Sequence, residues 1–120
     1  EEVYEGCYYG TLRSEVKRIW TSGNVVLFDV DVIGGINLKR IFGDHAFSIF
    51  IQPPSVEVLE DRLRARSTDS PESLIKRMEK AAWEMSFACI FDENLIIDKL
   101  EDALRHTEEI MQKTFPPKQD

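Results

Sequence analysis

Cysteine is almost absent. The 120 residues hold two, Cys7 and Cys89, far apart and without a second thiol or a histidine at short metal-ligand spacing. No disulfide framework and no compact zinc motif is indicated, and reduced thiols in a cytoplasmic protein are the natural reading. Long apolar runs are lacking too, since no stretch approaches the roughly 20 residues a membrane helix needs. Nothing in the sequence is therefore expected to span a bilayer. Positive charge is scarce: 15 Lys and Arg face 22 Asp and Glu, for a formal net charge of -7. A surface built to neutralise a nucleic-acid backbone has the opposite balance. The stretch "EEVYEG" carries no basic region, apolar segment or cleavage signal, so it does not read as a targeting peptide. There is no internal repeat, no low-complexity tract and no linker before "FPPKQD". Also missing is any G-x-x-x-x-G-K-[ST], the glycine loop and lysine that cradle triphosphates.

What is present is one domain's worth of ordinary globular sequence, 42% hydrophobic and 31% charged. Leu12, Val16, Ile19 and Trp20 recur at helical spacing, and Gly23 supplies the stop. The period then changes: "NVVLFDVDV" is rich in β-branched and aromatic residues, as expected of a buried parallel strand, and Gly34-Gly35 should end it. A short helix through Leu38 and Ile41 should follow, then a second buried strand, "AFSIFI", closed by Pro53-Pro54. Ser55 caps a helix with Val56, Leu59 and Leu63 on one stripe. Ser70 and Pro71 open another through Leu74, Met78, Ala81, Ala82 and Met85. "NLII" reads as a last strand, and Leu100, Leu104, Ile110 and Met111 belong to a closing helix. Alternation at these spacings predicts an α/β fold, a parallel sheet with crossover helices.

Three groups of residues have chemical interest. Asp29 and Asp31 lie two apart at the carboxyl end of the first expected strand, so they point to one side, at the edge where parallel sheets bind ligands. Their apolar setting favours a functional role for Asp31 and leaves Asp29 balanced between function and solvated punctuation. Arg62, Arg66 and Arg77 fall on two consecutive helices joined by "STDSPES", an arrangement able to clamp a phosphate but equally that of a solvated face paired with Glu60, Asp61 and Glu79. Tyr8, Tyr9 and Thr11 surround Gly10; their hydroxyls suit either a packed core or contacts to phosphate and base. His45 and His106 are isolated and read as surface residues, with no metal site, while Met78, Met85 and the tryptophans read as core.

In order, "YYGT", "LFDVDVIGG", "SIFIQPPSVEVLEDRLRARSTDSPESLIKRM" and "FDENLIIDKLEDAL" closely resemble guanylate kinase along essentially the whole chain. The resemblance implies a P-loop nucleoside monophosphate kinase-like parallel sheet with flanking helices, incomplete because the first strands and the P-loop are missing. It divides residues 1–120 into the end of the GMP-binding region and its helix (1–24), core strands and helices (25–66), a lid (67–76) and the C-terminal core (77–120). The implied activity is the ATP-dependent phosphorylation of GMP to GDP in purine metabolism, with ATP and Mg2+ and with GMP or dGMP as acceptor. Carried over by motif, Tyr9 binds the GMP phosphate, Thr11 and Asp31 read guanine, and Arg66 and Arg77 stabilise the transferring phosphates, with Arg62 a less certain third.

Some positions depart from the family. Ala65-Arg66-Ser67 replaces a "GRG" and so removes two permissive glycines at the lid hinge. Ile97-Asp98 stands where many members have an asparagine near adenine, and Cys7 where asparagine is common. The missing glycine loop and the start at Glu1 lead to the expectation of a portion of a longer enzyme. In the family the phosphate-loop strand lies between those matched here by "VVLFDV" and "AFSIFI", so its absence should leave unpaired backbone and exposed apolar faces. The 120-residue chain is accordingly expected to be inactive as a monomer, its sheet completed within a longer protein or by exchange of elements with another copy. Competing readings are a non-catalytic guanylate kinase-like interaction module and a small oligomerising nucleotide-binding protein.

Overall fold

The computed structural model describes residues 2–4, 6–8, 10–66 and 70–116. Strands β1 (Glu2–Tyr4) and β2 (Cys7–Tyr8) pair antiparallel, Glu2 opposite Tyr8 and Tyr4 opposite Cys7. Gly6 turns between them at φ 78°, a left-handed conformation that favours glycine. This hairpin is absent from the sequence reading, although a glycine between two short β-prone pairs is its signal. Helix α1 (Arg13–Thr21) follows, and Gly23 ends its last turn at φ 83°. Of its expected apolar stripe only Val16 is buried, while Leu12 is 74% exposed.

Residues 24–30, the expected first strand, form no strand in the structure. The segment has no sheet partner, and a strand exists only through hydrogen bonds to a neighbour. Leu27 is 87% exposed, and Val25 and Val30 also face solvent. Phe28 anchors the segment by stacking on Phe42, ring centroids 6.5 Å apart, while Trp20 meets the same ring edge-on at 5.2 Å.

Helix α2 (Val32–Phe42) takes in the glycine pair that was expected to end a strand. Asp31 caps it, its Oδ1 accepting the Gly34 N–H at 2.9 Å. Gly35 packs closely, since a Cβ there would stand 3.1 Å from the Phe91 ring, which would have to give way by a few tenths of an ångström. A 3-10 turn (Gly43–His45) leads to β3 (Ile49–Gln52), shorter than the expected strand. Ser55 and Ser70 cap α3 (Val56–Arg66) and α4 (Pro71–Met85) as their sequences indicate, with Pro71 in the first turn of α4. A second 3-10 turn (Ala88–Ile90) precedes β4 (Glu93–Ile96), and α5 (Leu100–Thr114) closes the described chain.

Strands β3 and β4 run parallel, Phe50 opposite Asn94 and Ile51 opposite Leu95, with α3 and α4 forming the crossover. This pair is the centre of the core. Phe50 and Leu95 are buried with Ala103 and Ile110 of α5, and Phe91 packs edge-on against Phe50 at 5.3 Å. One polar clamp fastens the entry to both strands. Asp92 Oδ2 accepts from the Ser48 N–H at 2.8 Å, the Ser48 hydroxyl at 2.9 Å and Lys39 Nζ at 2.9 Å, and Lys39 also donates to the Ala46 carbonyl.

Elsewhere the molecule is open. Its surface is 9657 Å², against roughly 6,700 Å² for a compact monomer of this mass. The radius of gyration is 16.5 Å, where about 14 Å is usual for this length. Large apolar side chains stand in solvent: Ile51 and Ile96 on the strands, Leu27 in the unpaired segment and Leu104 on α5.

Candidate active site

The start of α2 concentrates polar chemistry. The first N–H groups of a helix have no partner within it and carry a partial positive charge. A carboxylate meets one of them: Asp31, half-buried, accepts the Gly34 N–H. Burial pushes the Glu84 carboxyl above its ordinary range; Lys80 opposes this, the nearby Asp31 charge adds to it, and the Val32 N–H opposes it.

The same face of α4 carries more. Arg77, Lys80 and Glu84 follow one another at spacings of three and four, so they share one side of the helix. Arg77 lies about 10 Å along the axis from Glu84, at a rise of about 1.5 Å per residue. Glu84 and Lys80 were missed in the sequence, although their i,i+4 pairing and the seven-residue step from Arg77 were there to be read.

Other expected residues are placed differently. Arg66 is the last residue of α3 and exposed, and Thr11 is exposed between β2 and α1. Tyr9 lies outside the described residues, as do Ser67 and the first part of the expected 67–76 lid, whose remainder enters α4 at Pro71. Asp29 is exposed on the unpaired segment, so the strand geometry that paired it with Asp31 does not form. Arg62 turns inward and donates to the Ile97 carbonyl at 2.8 Å and the Asp98 carbonyl at 3.3 Å, which ties α3 to the end of β4. Those bonds tie it to the scaffold. His45 and His106 are on the surface, and so is Cys89.

A cleft of about 510 Å³ opens between α3 and α4, lined by Glu60, Arg64, Leu74, Met78 and Glu79. Arg64 is paired there with Glu60 at 2.5 Å. Asp31, Arg66 and Arg77 are not among its lining residues. The described residues do not supply a donor set that fits a Mg2+ ion. No group of three acidic, His or Cys side chains converges among the described residues, and no glycine-lysine loop exists to hold triphosphate beside one.

Parallel strands joined through helices define an α/β protein. A family model described as guanylate kinase matches residues 1–114 and makes this the P-loop kinase fold. The guanylate kinase of Bacteroides thetaiotaomicron is 47% identical over 113 residues, 94% of this chain and 55% of that protein. That of Porphyromonas gingivalis is 49% identical over 100 residues, 83% of this chain and 53% of its own length. That of Salinibacter ruber is 45% identical over 107 residues, 89% and 56% respectively. The chain belongs to the guanylate kinase family. It spans about half the length of the curated relatives it matches. Among the described residues, no helix is long and apolar enough to cross a membrane.

Proposed function

We propose that the protein carrying this chain transfers the terminal phosphoryl group of ATP to GMP, giving ADP and GDP, in cytoplasmic purine nucleotide metabolism. Guanine presents two adjacent N–H donors where adenine presents an acceptor and a donor, so a carboxylate selects it. Asp31 fills that role, because it is an acceptor fixed at a helix start, and Thr11 adds a hydroxyl. Tyr9 holds the GMP phosphate. Arg66 and Arg77 neutralise charge on the moving phosphoryl group, and residues 67–76 act as the lid that brings them in. Positioning and charge neutralisation do most of the work in phosphoryl transfer, which suits a site made of guanidiniums and hydrogen-bond donors. The observation that carries this reading is Asp31, half-buried at the start of α2 with its Oδ1 on the Gly34 N–H.

The 120-residue chain alone is inactive in this reading, since nothing in it cradles ATP and its open faces want a partner. The sheet is completed inside a longer protein or by another copy. A non-catalytic interaction module of the same fold is the second reading, favoured by the missing glycine-lysine loop alone. Calorimetry with GMP and with AMP separates them. The kinase reading expects GMP to bind, AMP not to, and Asp31→Asn to weaken GMP by about 10- to 100-fold, the worth of a hydrogen bond to a charged group. No heat with GMP, or robust ATP-dependent turnover by the isolated chain, contradicts it.

A further inference from the structure

Asp31 is built onto the first turn of α2. Its Oδ1 accepts the Gly34 N–H and its carbonyl accepts the Gly35 N–H, each at 2.9 Å, so its carboxylate goes where that turn goes. Contacts distant in sequence fix the turn. Two consecutive residues, Phe91 and Asp92, meet α2 at Gly35 and Lys39, which share one face of the helix at a spacing of four. The Phe91 ring stands where a Gly35 Cβ would be only 3.1 Å away, and Asp92 Oδ2 takes Lys39 Nζ at 2.9 Å. Both residues are held from the other side as well: Phe91 packs edge-on against Phe50, and Asp92 accepts the Ser48 N–H and hydroxyl. Between the two contacts a cleft of about 70 Å³ separates α2 from the strand entry, lined by Gly35, Ile36, Lys39, Ser48, Ile90 and Phe91. With that space unfilled, the ring and the ion pair are what hold this face of α2 to the strands.

We propose that Phe91 and Asp92 are positioning residues for Asp31: by holding Gly35 and Lys39, they set where the start of α2 lies and so where the Asp31 carboxylate meets the base of the nucleotide. This rests on the reading of Asp31 as the guanine-recognising group. A carboxylate that must accept two adjacent N–H groups at once is sensitive to small shifts, because hydrogen bonds weaken steeply away from their preferred angle. Inosine monophosphate keeps the ring N–H of guanine and lacks the amino group, so it offers only one of the two. The preference for GMP over it therefore reads the fit of the Asp31 carboxylate.

The test uses the whole protein that carries this chain, with affinities for GMP and inosine monophosphate by calorimetry and KM for ATP. Lys39→Met keeps the aliphatic stem and removes the ammonium. It should lower the GMP preference by about fivefold, the scale of a small misplacement, with KM for ATP held within about twofold. Asp92→Asn keeps an acceptor for Ser48 and should act in the same direction. The double variant should lose no more than the larger single loss, because both changes remove one ion pair. Gly35→Ala probes the other contact and serves where the charge variants fail to fold. It should also lower the preference, and Phe91→Leu added to it should restore part of the loss by making room. An unchanged preference in Lys39→Met and Gly35→Ala, GMP and inosine monophosphate weakened by equal factors, an equal rise in KM for ATP, or losses that multiply in the charge double variant would overturn the proposal. Asp31→Asn separates the two readings. A preference that survives it overturns the guanine-reading role of Asp31 and this proposal together; a preference that it abolishes, but that Lys39→Met and Gly35→Ala leave intact, overturns this proposal alone.

Discussion

Residues 24–30 and the strand pair β3–β4 are both apolar and β-prone, and the structure treats them oppositely. Phe50 is 7% exposed and Leu95 3%, whereas Leu27, in an equally hydrophobic stretch, is 87% exposed. The difference is a neighbour. Ile49 to Gln52 have Glu93 to Ile96 alongside for their hydrogen bonds, with α5 over the face, while the first segment has only the Phe28 stack on Phe42. Hydrophobicity nominates a strand, but pairing makes one.

Truncation should expose that contrast most strongly. Phe50→Ala is expected to cost about 3–4 kcal/mol in chemical denaturation, as a buried aromatic does, whereas Leu27→Ala should change stability by less than about 0.5 kcal/mol. Comparable losses would mean that residues 24–30 are packed in solution. A smaller effect belongs to the place where α2 meets the strand entry. Gly35→Val should destabilise by about 2 kcal/mol, because the Phe91 ring 3.1 Å from a Cβ is held by Phe50 and cannot retreat freely. Smaller again, Arg62→Ala should cost about 1.5 kcal/mol by orphaning the Ile97 and Asp98 carbonyls. Were Arg62 a phosphate ligand instead, its loss would show in nucleotide affinity with stability intact.

The gentlest probe is pH. Burial disfavours the Asp92 charge, but the Lys39 ammonium and the Ser48 N–H and hydroxyl outweigh it and hold its pKa below the ordinary aspartate value. Its stabilisation is therefore present above about pH 4, the unfolded aspartate range, and lost as pH falls through the depressed folded value. Glu84 has the opposite sign. Its folded pKa is raised, chiefly by burial, so its contribution is full below the unfolded value and lost as pH rises through the folded one. Asp92→Asn should flatten the acid limb of a stability-versus-pH curve and Glu84→Gln the limb at higher pH, with the parent chain between them.

Helices were the legible part of this chain. Val56–Arg66 and Pro71–Met85 start at the serines that cap them, since a cap is a contact between residues three apart and needs no tertiary partner. The pair β3–β4 was legible as two β-prone runs, and its parallel pairing followed from the helices between them. The geometry of Asp31 was read from a strand where the structure shows a helix cap. Arg62 could not be told from Arg66 on spacing alone, because which guanidinium turns toward the Ile97 carbonyl depends on how α3 lies on the sheet.

The order of residues by itself determined the class, the family motifs, the caps and the absence of a glycine-lysine loop, for these are local or additive properties of the chain. Only the tertiary structure decided that residues 24–30 go unpaired, that Asp92 joins Lys39 and Ser48, and that Arg62 reaches the Ile97 carbonyl. Each of those depends on a partner distant in sequence, and what a backbone or a charge does is settled by whatever stands next to it in space.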